Sequence, residues 1–315
     1  MNIKKRARHN STQMILEPAA LKLSVVIAAS NDLAALEKTL SSLRGQAETA
    51  DTEVIAVCNF DGEAREEVAK QFPFVKCVTL ASDTTVPELR TRGIHLSRGE
   101  IIALVEDYCT LDDLWCAEIK KAHESHHRIV GGSVENRCPD KPLNWAVYFY
   151  DYGKYMAPGL AGPTTTLSGM NVSYTREVLR EVEKSFRGGF YEAFAHEELK
   201  RRGHQLYLEP SAVAYLTKDY RFREILGSYF HLARAFAGRR VADSPLTKRV
   251  IFALASCVLP ILLPGRVVLG TIRKRRYLPQ LLRSLPHFFA LTASWSVGEI
   301  CGYLIGEGSS GRKWT

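Results

Sequence analysis

The chain has 315 residues, 46% hydrophobic and 24% charged, with a net charge of +8 at pH 7. That apolar fraction supports a packed core and excludes general disorder, and the length suits one large domain or two smaller ones. The positive balance admits an anionic partner, whether nucleic acid, acidic lipid or phosphorylated substrate, without choosing among them.

Seven cysteines stand at 58, 77, 109, 116, 138, 257 and 301. The count is odd and no pair has C-x-x-C spacing, which argues against a disulfide scaffold and a zinc ribbon and for thiols in a reducing compartment. The opening "MNIKKRARHNSTQ" is basic. It lacks the apolar stretch of about 7–15 residues that a secretory signal needs. Residues 1–22 therefore read as a basic tail, and the bulk of the protein is expected in the cytoplasm.

In chain order, "LSVVIAA" (23–29) is a short apolar run rich in β-branched residues and predicts a strand buried on both faces. "SNDLAALEKTLSSL" follows, with Ser30 or Asn31 as a helix cap and Asp32 in the first turn. Leu33, Leu36, Leu40 and Leu43 form one helical stripe. "TEVIAVC" (52–58) predicts a strand, "EAREEVAKQF" (63–72) a helix, "VKCVTL" (75–80) a strand and "PELRTRGIHLS" (87–97) a helix with Pro87 near its start. "IIALVED" (101–107) is the fourth strand. Strands alternating with helices predict an α/β domain with a largely parallel sheet.

Beyond residue 110 the spacing predicts a helix in "DDLWCAEIKKAHES" and a strand in "RIVGGSVE". Residues 136–165 are rich in Pro, Gly and aromatics and read as irregular. "TLSGMNVSYT" (166–175) predicts a strand, "REVLREVEKSF" a helix, "YEAFAHEELKRRG" (191–203) a helix ended by Gly203, and "QLYLEPSAVAYL" extended chain. "HESHH" (123–127) reads as an exposed helix end rather than a metal site.

In an open parallel sheet, ligands bind beyond the carboxyl ends of the strands. Glu106 and Asp107 lie at such an end. Two adjacent carboxylates repel and resist desolvation. A hard cation such as Mg2+ or Mn2+, set between them and a phosphorylated ligand, relieves both costs. The same pair also reads as a solvated strand-to-loop junction.

The ordered series of strands and helices, with R-x-x-G at 90–93 before the strand that carries the acid pair, resembles the GT-A (Rossmann-like) fold of family 2 glycosyltransferases. "LSVVIAASNDLAALEKTLSSL", "LRTRGIHLSRGEIIALVED", "SGMNVSYTREVL" and "YEAFAHEELKRRGHQLYLEPSAVAYL" are similar to successive motifs of that family and cover roughly residues 23–217. The resemblance implies a bacterial membrane-associated type, a nucleotide-sugar donor, an inverting transfer and no nucleic-acid partner. It places the nucleotide against Ala29, Asn31, Cys58, Asn59, Asp61, Arg90 and Glu106. It assigns a metal to Glu106 and Asp107, with Asp107 as the direct ligand, and the general base to Glu192. Glu197 and Glu198 are alternatives for the base that read as a solvated helical face. His196, four residues after Glu192, is placed to orient it. Where the family usually has an aspartate at the end of its second strand, this chain has Cys58, and Tyr191 replaces the first acid of the family's pair.

From residue 218 the composition shifts. A basic segment leads into the uncharged run "VIFALASCVLPILLPG" (250–265), then "RKRRY" (273–277), then "LPHFFALTASWSVG" (285–298). A membrane helix needs about 20 apolar residues, and Pro260 and Pro264 would kink or break the first run. Basic clusters on both sides of it should stay cytoplasmic, which favours helices lying in one leaflet over a two-span hairpin.

The expectation is a GT-A domain at 23–220 and a basic, apolar membrane-associated region at 221–315. The activity expected is sugar transfer to a lipid-linked or polysaccharide acceptor in cell-surface glycan synthesis, with the catalytic domain cytoplasmic. A nucleotidyltransferase on a related fold and a non-catalytic membrane-bound partner of the same fold are the other readings.

Overall fold

The computed structural model describes residues 21–60, 63–186 and 188–313. The basic N-terminal tail therefore falls outside the described residues except for its last two.

The first half alternates as the sequence predicts: β1 (Leu23–Ala29), α1 (Leu33–Leu43), β2 (Thr52–Cys58), α2 (Glu63–Gln71), β3 (Val75–Thr79), α3 (Val86–Leu96) and β4 (Ile101–Glu106). There follow β5 (Cys109–Leu111), α4 (Trp115–Glu124), β6 (Ile129–Asn136), α5 (Pro142–Asp151), β7 (Gly162–Thr164), β8 (Asn171–Thr175), α6 (Arg176–Val182), α7 (Glu192–Arg201) and β9 (Leu206–Leu216). Four helices end the chain: α8 (Phe222–Arg240), α9 (Leu246–Ser256), α10 (Leu259–Lys274) and α11 (Leu278–Ile305).

The nine strands form one sheet in the order β3-β2-β1-β4-β8-β6-β9-β5, with β7 on β9. Its first half, β3-β2-β1-β4, is parallel, and β8 then runs antiparallel to both β4 and β6. The sheet is thus mixed rather than largely parallel. The parallel pattern belongs to the segment where helices separate every pair of strands, since a parallel neighbour requires a crossover. β1 and β4 are buried along their whole length.

The two faces of β1 are divided between two cores. Val25 and Ile27 pack with Leu36, Leu40 and Leu43 of α1, which are fully buried. Val26 lies on the other face, under α3. A side chain at Gly93 would collide with Val26, so glycine lets α3 lie directly on β1. Arg90 is one turn earlier on the same helical face. The R-x-x-G spacing therefore has a packing reason: the glycine brings the helix down and the arginine reaches the end of β4.

Three local expectations change. Asp32, not Ser30 or Asn31, caps α1, accepting from the Ala35 amide at 2.8 Å. The stretch 136–165 contains α5, whose residues Leu143–Phe149 are all buried. That helix is buried on most sides, against α11 and, through the Tyr148 hydroxyl on Val134 O, against β6, so it shows no clear helical period. The "HESHH" stretch is not simply exposed: His123 is buried, with Nε2 2.8 Å from Ser173 Oγ.

Candidate active site

The cluster forms where β1 and β4 end side by side, with Ala28 paired to Glu106. Glu106 is 2% exposed and Asp107 wholly buried. Each has found a partner within the chain. Glu106 Oε1 accepts from Arg90 Nε at 3.0 Å and from Arg90 Nη2. Asp107 turns the other way. Its Oδ2 accepts the backbone N–H groups of Ser30 (2.9 Å) and Asn31 (2.8 Å), and its Oδ1 accepts Asn31 Nδ2 at 2.5 Å. The β1–α1 turn is thereby fastened to the end of β4.

Arg90 also reaches across to α7, donating from Nη1 to Glu192 Oε2 at 2.6 Å. Glu192 is the first residue of α7, where the helix dipole favours a carboxylate. It stands there because the preceding loop docks on α3: Phe190 N–H donates to Pro87 O at 2.8 Å, and Gly189, at φ +111°, lies against Pro87. Unlike Glu106, the Glu192 side chain is 26% exposed. Behind it, a Cβ on Gly169 would come 2.6 Å from Glu192 Cδ and 3.1 Å from Arg90 Nη2.

Burial would raise the Glu192 carboxyl, but the Arg90 guanidinium, a backbone N–H group and His196 together hold it below the usual range. For Glu106 burial wins over the pull of Arg90, with help from the charges of Asp107 and Glu192, and lifts it to about 7. Lys218, just past β9, completes the charge set. Burial lowers its ammonium, while Asp107 and Glu106 pull it back up. Lys218 Nζ lies 5.3 Å from the centroid of the Tyr108 ring and 5.8 Å from that of Tyr220.

The other expected residues are placed as follows. Ala29, Cys58 and Asn59 lie at the ends of β1 and β2, and Asn59 N–H donates to Ala29 O. Cys58 Sγ is 3.8 Å from Cys77 Sγ, and Asn59 Nδ2 donates to Thr84 O, so neither side chain joins the Arg90 cluster. Asp61 lies outside the described residues. His196 is buried and pairs with Tyr174, its Nε2 2.7 Å from the hydroxyl, rather than orienting Glu192. Glu198 is paired with Arg201 and Arg202 on the outer face of α7.

Sequence reasoning took Lys218 only as the start of a basic segment, and passed over Gly169 inside "SGMNVSYT". Their proximity to the acids depends on chain far apart in sequence.

The acid pair fits a protein-held Mg2+ or Mn2+ poorly. Asp107 Oδ2 and Glu106 Oε1 each already accept two N–H groups and Asp107 Oδ1 accepts Asn31 Nδ2, which leaves Glu106 Oε2 as the one oxygen of the pair with no hydrogen bond among the described residues. Both side chains are shielded from water.

The sequence model of glycosyl transferase family 2 matches residues 24–183, or 160 of the 315 residues. The chain belongs to glycosyl transferase family 2. No curated protein matches it closely enough to add to that. Among solved structures it resembles the mannosyltransferase PcManGT from Pyrobaculum calidifontis, in complex with GDP-Man and Mn2+, with a TM-score of 0.56 and 15% identity over 90% of this chain and 88% of that one. At that identity the likeness concerns the fold, which is of the GT-A type. This family 2 enzyme is thus a nucleotide-sugar dependent glycosyltransferase.

Proposed function

We propose that the enzyme transfers a sugar, with inversion, from a nucleotide-sugar donor to a lipid-linked or polysaccharide acceptor at the cytoplasmic surface of a membrane. Glu192 is the general base. The acceptor oxygen attacks the anomeric carbon as the bond from that carbon to the diphosphate breaks, and the electron pair leaves with the nucleoside diphosphate. The acceptor proton passes to the Glu192 carboxylate. Residues 23–220 form the transferase and 221–315 attach it to the membrane, in keeping with the cell-surface glycan role expected from the sequence. Ala29, Asn31, Cys58, Asn59 and Asp61 would line the nucleotide side.

The observation that carries this reading is the position of Glu192. It is the acid of the Arg90 cluster that keeps access to solvent, it remains ionised at neutral pH beside a guanidinium, and it sits at the helix end where an incoming hydroxyl would meet it. Arg90 and Glu106 act as the rigid backing that positions it.

The membrane part rests on where the apolar surface lies. Ile251 (63% exposed), Leu254 (66%) and Ile261 (76%) lie on α9 and α10, which meet at a 53° bend. The break falls just before Pro260, while Pro264 is accommodated inside α10. Among the described residues one helix, α11, is long and apolar enough to cross a membrane, yet 44% of its most apolar window is buried in the protein. Both its ends are tied down, through Arg283 to Asp140 near one end and, just past the other, through Glu307 to Arg239. Arg276, in the link before α11, pairs with Glu135 at 2.8 Å. These ties favour helices lying in one leaflet.

The decisive test is Glu192→Gln. Donor binding should persist while transfer falls by about two to four orders of magnitude, the usual contribution of a positioned base. Transfer at the parental rate would dismiss Glu192.

A further inference from the structure

A hard divalent ion is typically held by one or two carboxylates together with the phosphates of its ligand. Here the two carboxylates at the end of β4 are turned inward, one onto a guanidinium and one onto the amides of the β1–α1 turn. The diphosphate of the donor must still be met by positive charge, because it gains negative charge as the glycosidic bond breaks.

Lys218 is in place to supply it. Its ammonium lies within electrostatic reach of Asp107 and Glu106, yet it has no ion-pair partner within 4.0 Å among the described residues. The short segment that carries it is fixed on both sides. Thr217 donates to Tyr108 O from its amide (3.0 Å) and its hydroxyl (2.9 Å). Asp219 accepts from Lys141 (2.6 Å) and Asn144 (3.0 Å), and the Tyr220 amide donates to Asn144 Oδ1 at 3.0 Å. The rings of Tyr108 and Tyr220 flank the ammonium and limit its travel. The ammonium is thus held beside the end of β4 with no direct ion pair among the described residues, so its N–H groups can turn to an anionic ligand.

We propose that Lys218 is the resident cation for the donor's diphosphate, so that this enzyme needs no metal ion held by Glu106 and Asp107. The inference rests on the glycosyltransferase reading of the same site. In the transfer step the ammonium donates hydrogen bonds to diphosphate oxygens and stabilises the electron pair that leaves with them. Glu106 and Asp107 hold the site's shape rather than a metal, and their charge opposes the effect of burial on the ammonium.

The test is isothermal titration of the full chain, treated with EDTA, using pyrophosphate, UDP and GDP as probes, each repeated with excess Mn2+. The wild type should bind pyrophosphate and at least one nucleotide in EDTA, with Mn2+ changing Kd by less than about threefold. Lys218→Met should weaken binding about tenfold or more, the size of a hydrogen bond to a charged group, and Lys218→Arg should restore most of it. Unchanged melting temperatures would show that both variants fold. Binding only with Mn2+, or binding by Lys218→Met at the wild-type level, would overturn the role of Lys218 while leaving the glycosyltransferase reading intact. No binding of any probe by the wild type, with or without Mn2+, would overturn the placement of the donor itself.

Discussion

Arg90 donates to Glu192 at 2.6 Å while its other nitrogens hold Glu106, so one guanidinium joins the end of β4 to the start of α7. The relation is both mechanical and electrostatic. It fixes the distance between two elements and sets the proton affinity of the proposed base. His196 and Lys154 also face Glu192, but His196 is held neutral by burial, its pKa lowered to about 4.

Arg90→Gln should therefore move the acid limb of the rate profile to higher pH. With Arg90 present, Glu192 stays ionised below the usual carboxylate range. Without it, burial is opposed only by the backbone N–H group and His196, the pKa rises, and the base is protonated more at mildly acidic pH, so activity near about pH 6 falls more than activity near about pH 8. The same change leaves Glu106 buried without its partner, at a cost of about 3–5 kcal/mol, and the profile must be taken well below the variant's melting point. An unshifted acid limb would show that Arg90 does not tune the base.

Gly169→Ala adds one methyl group against Glu192 and Arg90, removing no chemical group from the site. The expected result is a fold that melts near the wild type and a kcat reduced by up to about 100-fold, the effect of a base displaced by around an ångström. Donor Kd, measured by titration, should change little. Wild-type kcat would mean that the pair relaxes without consequence.

Gly298 and Gly302 let α11 press on α8, where a Cβ at either position would overlap the backbone carbonyl of Phe230 or Arg234. Gly302→Leu should destabilise the protein by about 1–3 kcal/mol or more, as overpacking does, measured by denaturant unfolding. If α11 instead left α8 to cross a bilayer, the substitution would be nearly silent.

The double substitution Ile251→Glu and Leu254→Glu should release the enzyme from anionic phospholipid vesicles in a flotation assay, with nucleotide binding unchanged. Each buried apolar side chain of this size is worth about 1.5–3 kcal/mol. Carbonate washing should likewise strip the wild type from membranes. Retention of the double variant, or resistance of the wild type to carbonate, would argue for a true span.

Much of the parallel half was legible because its strands are apolar on both faces and each is followed by a helix with one apolar stripe. β1, α1, β2 and β4 stand within a few residues of where periodicity puts them. α5 was not legible, since a helix surrounded by protein loses the contrast between faces that makes helices recognisable. β5, three residues long, exists by pairing with β9, more than a hundred residues away. Among the site residues, Arg90, Glu106 and Glu192 were singled out from their order along the chain, and the structure brings these three together.

The sequence by itself determined the alternation of elements, the burial of β4 and the placing of two acids at its end. Spacing and hydrophobicity are local properties that a chain carries before it folds. Only the tertiary structure decided what those acids face. Whether a carboxylate faces a cation, an amide or water depends on elements brought together from far along the chain: α3 for Glu106, the β1–α1 turn for Asp107, and the segment beyond β9 for Lys218. Electrostatic energy depends on distance in space, and no spacing along the sequence sets that distance.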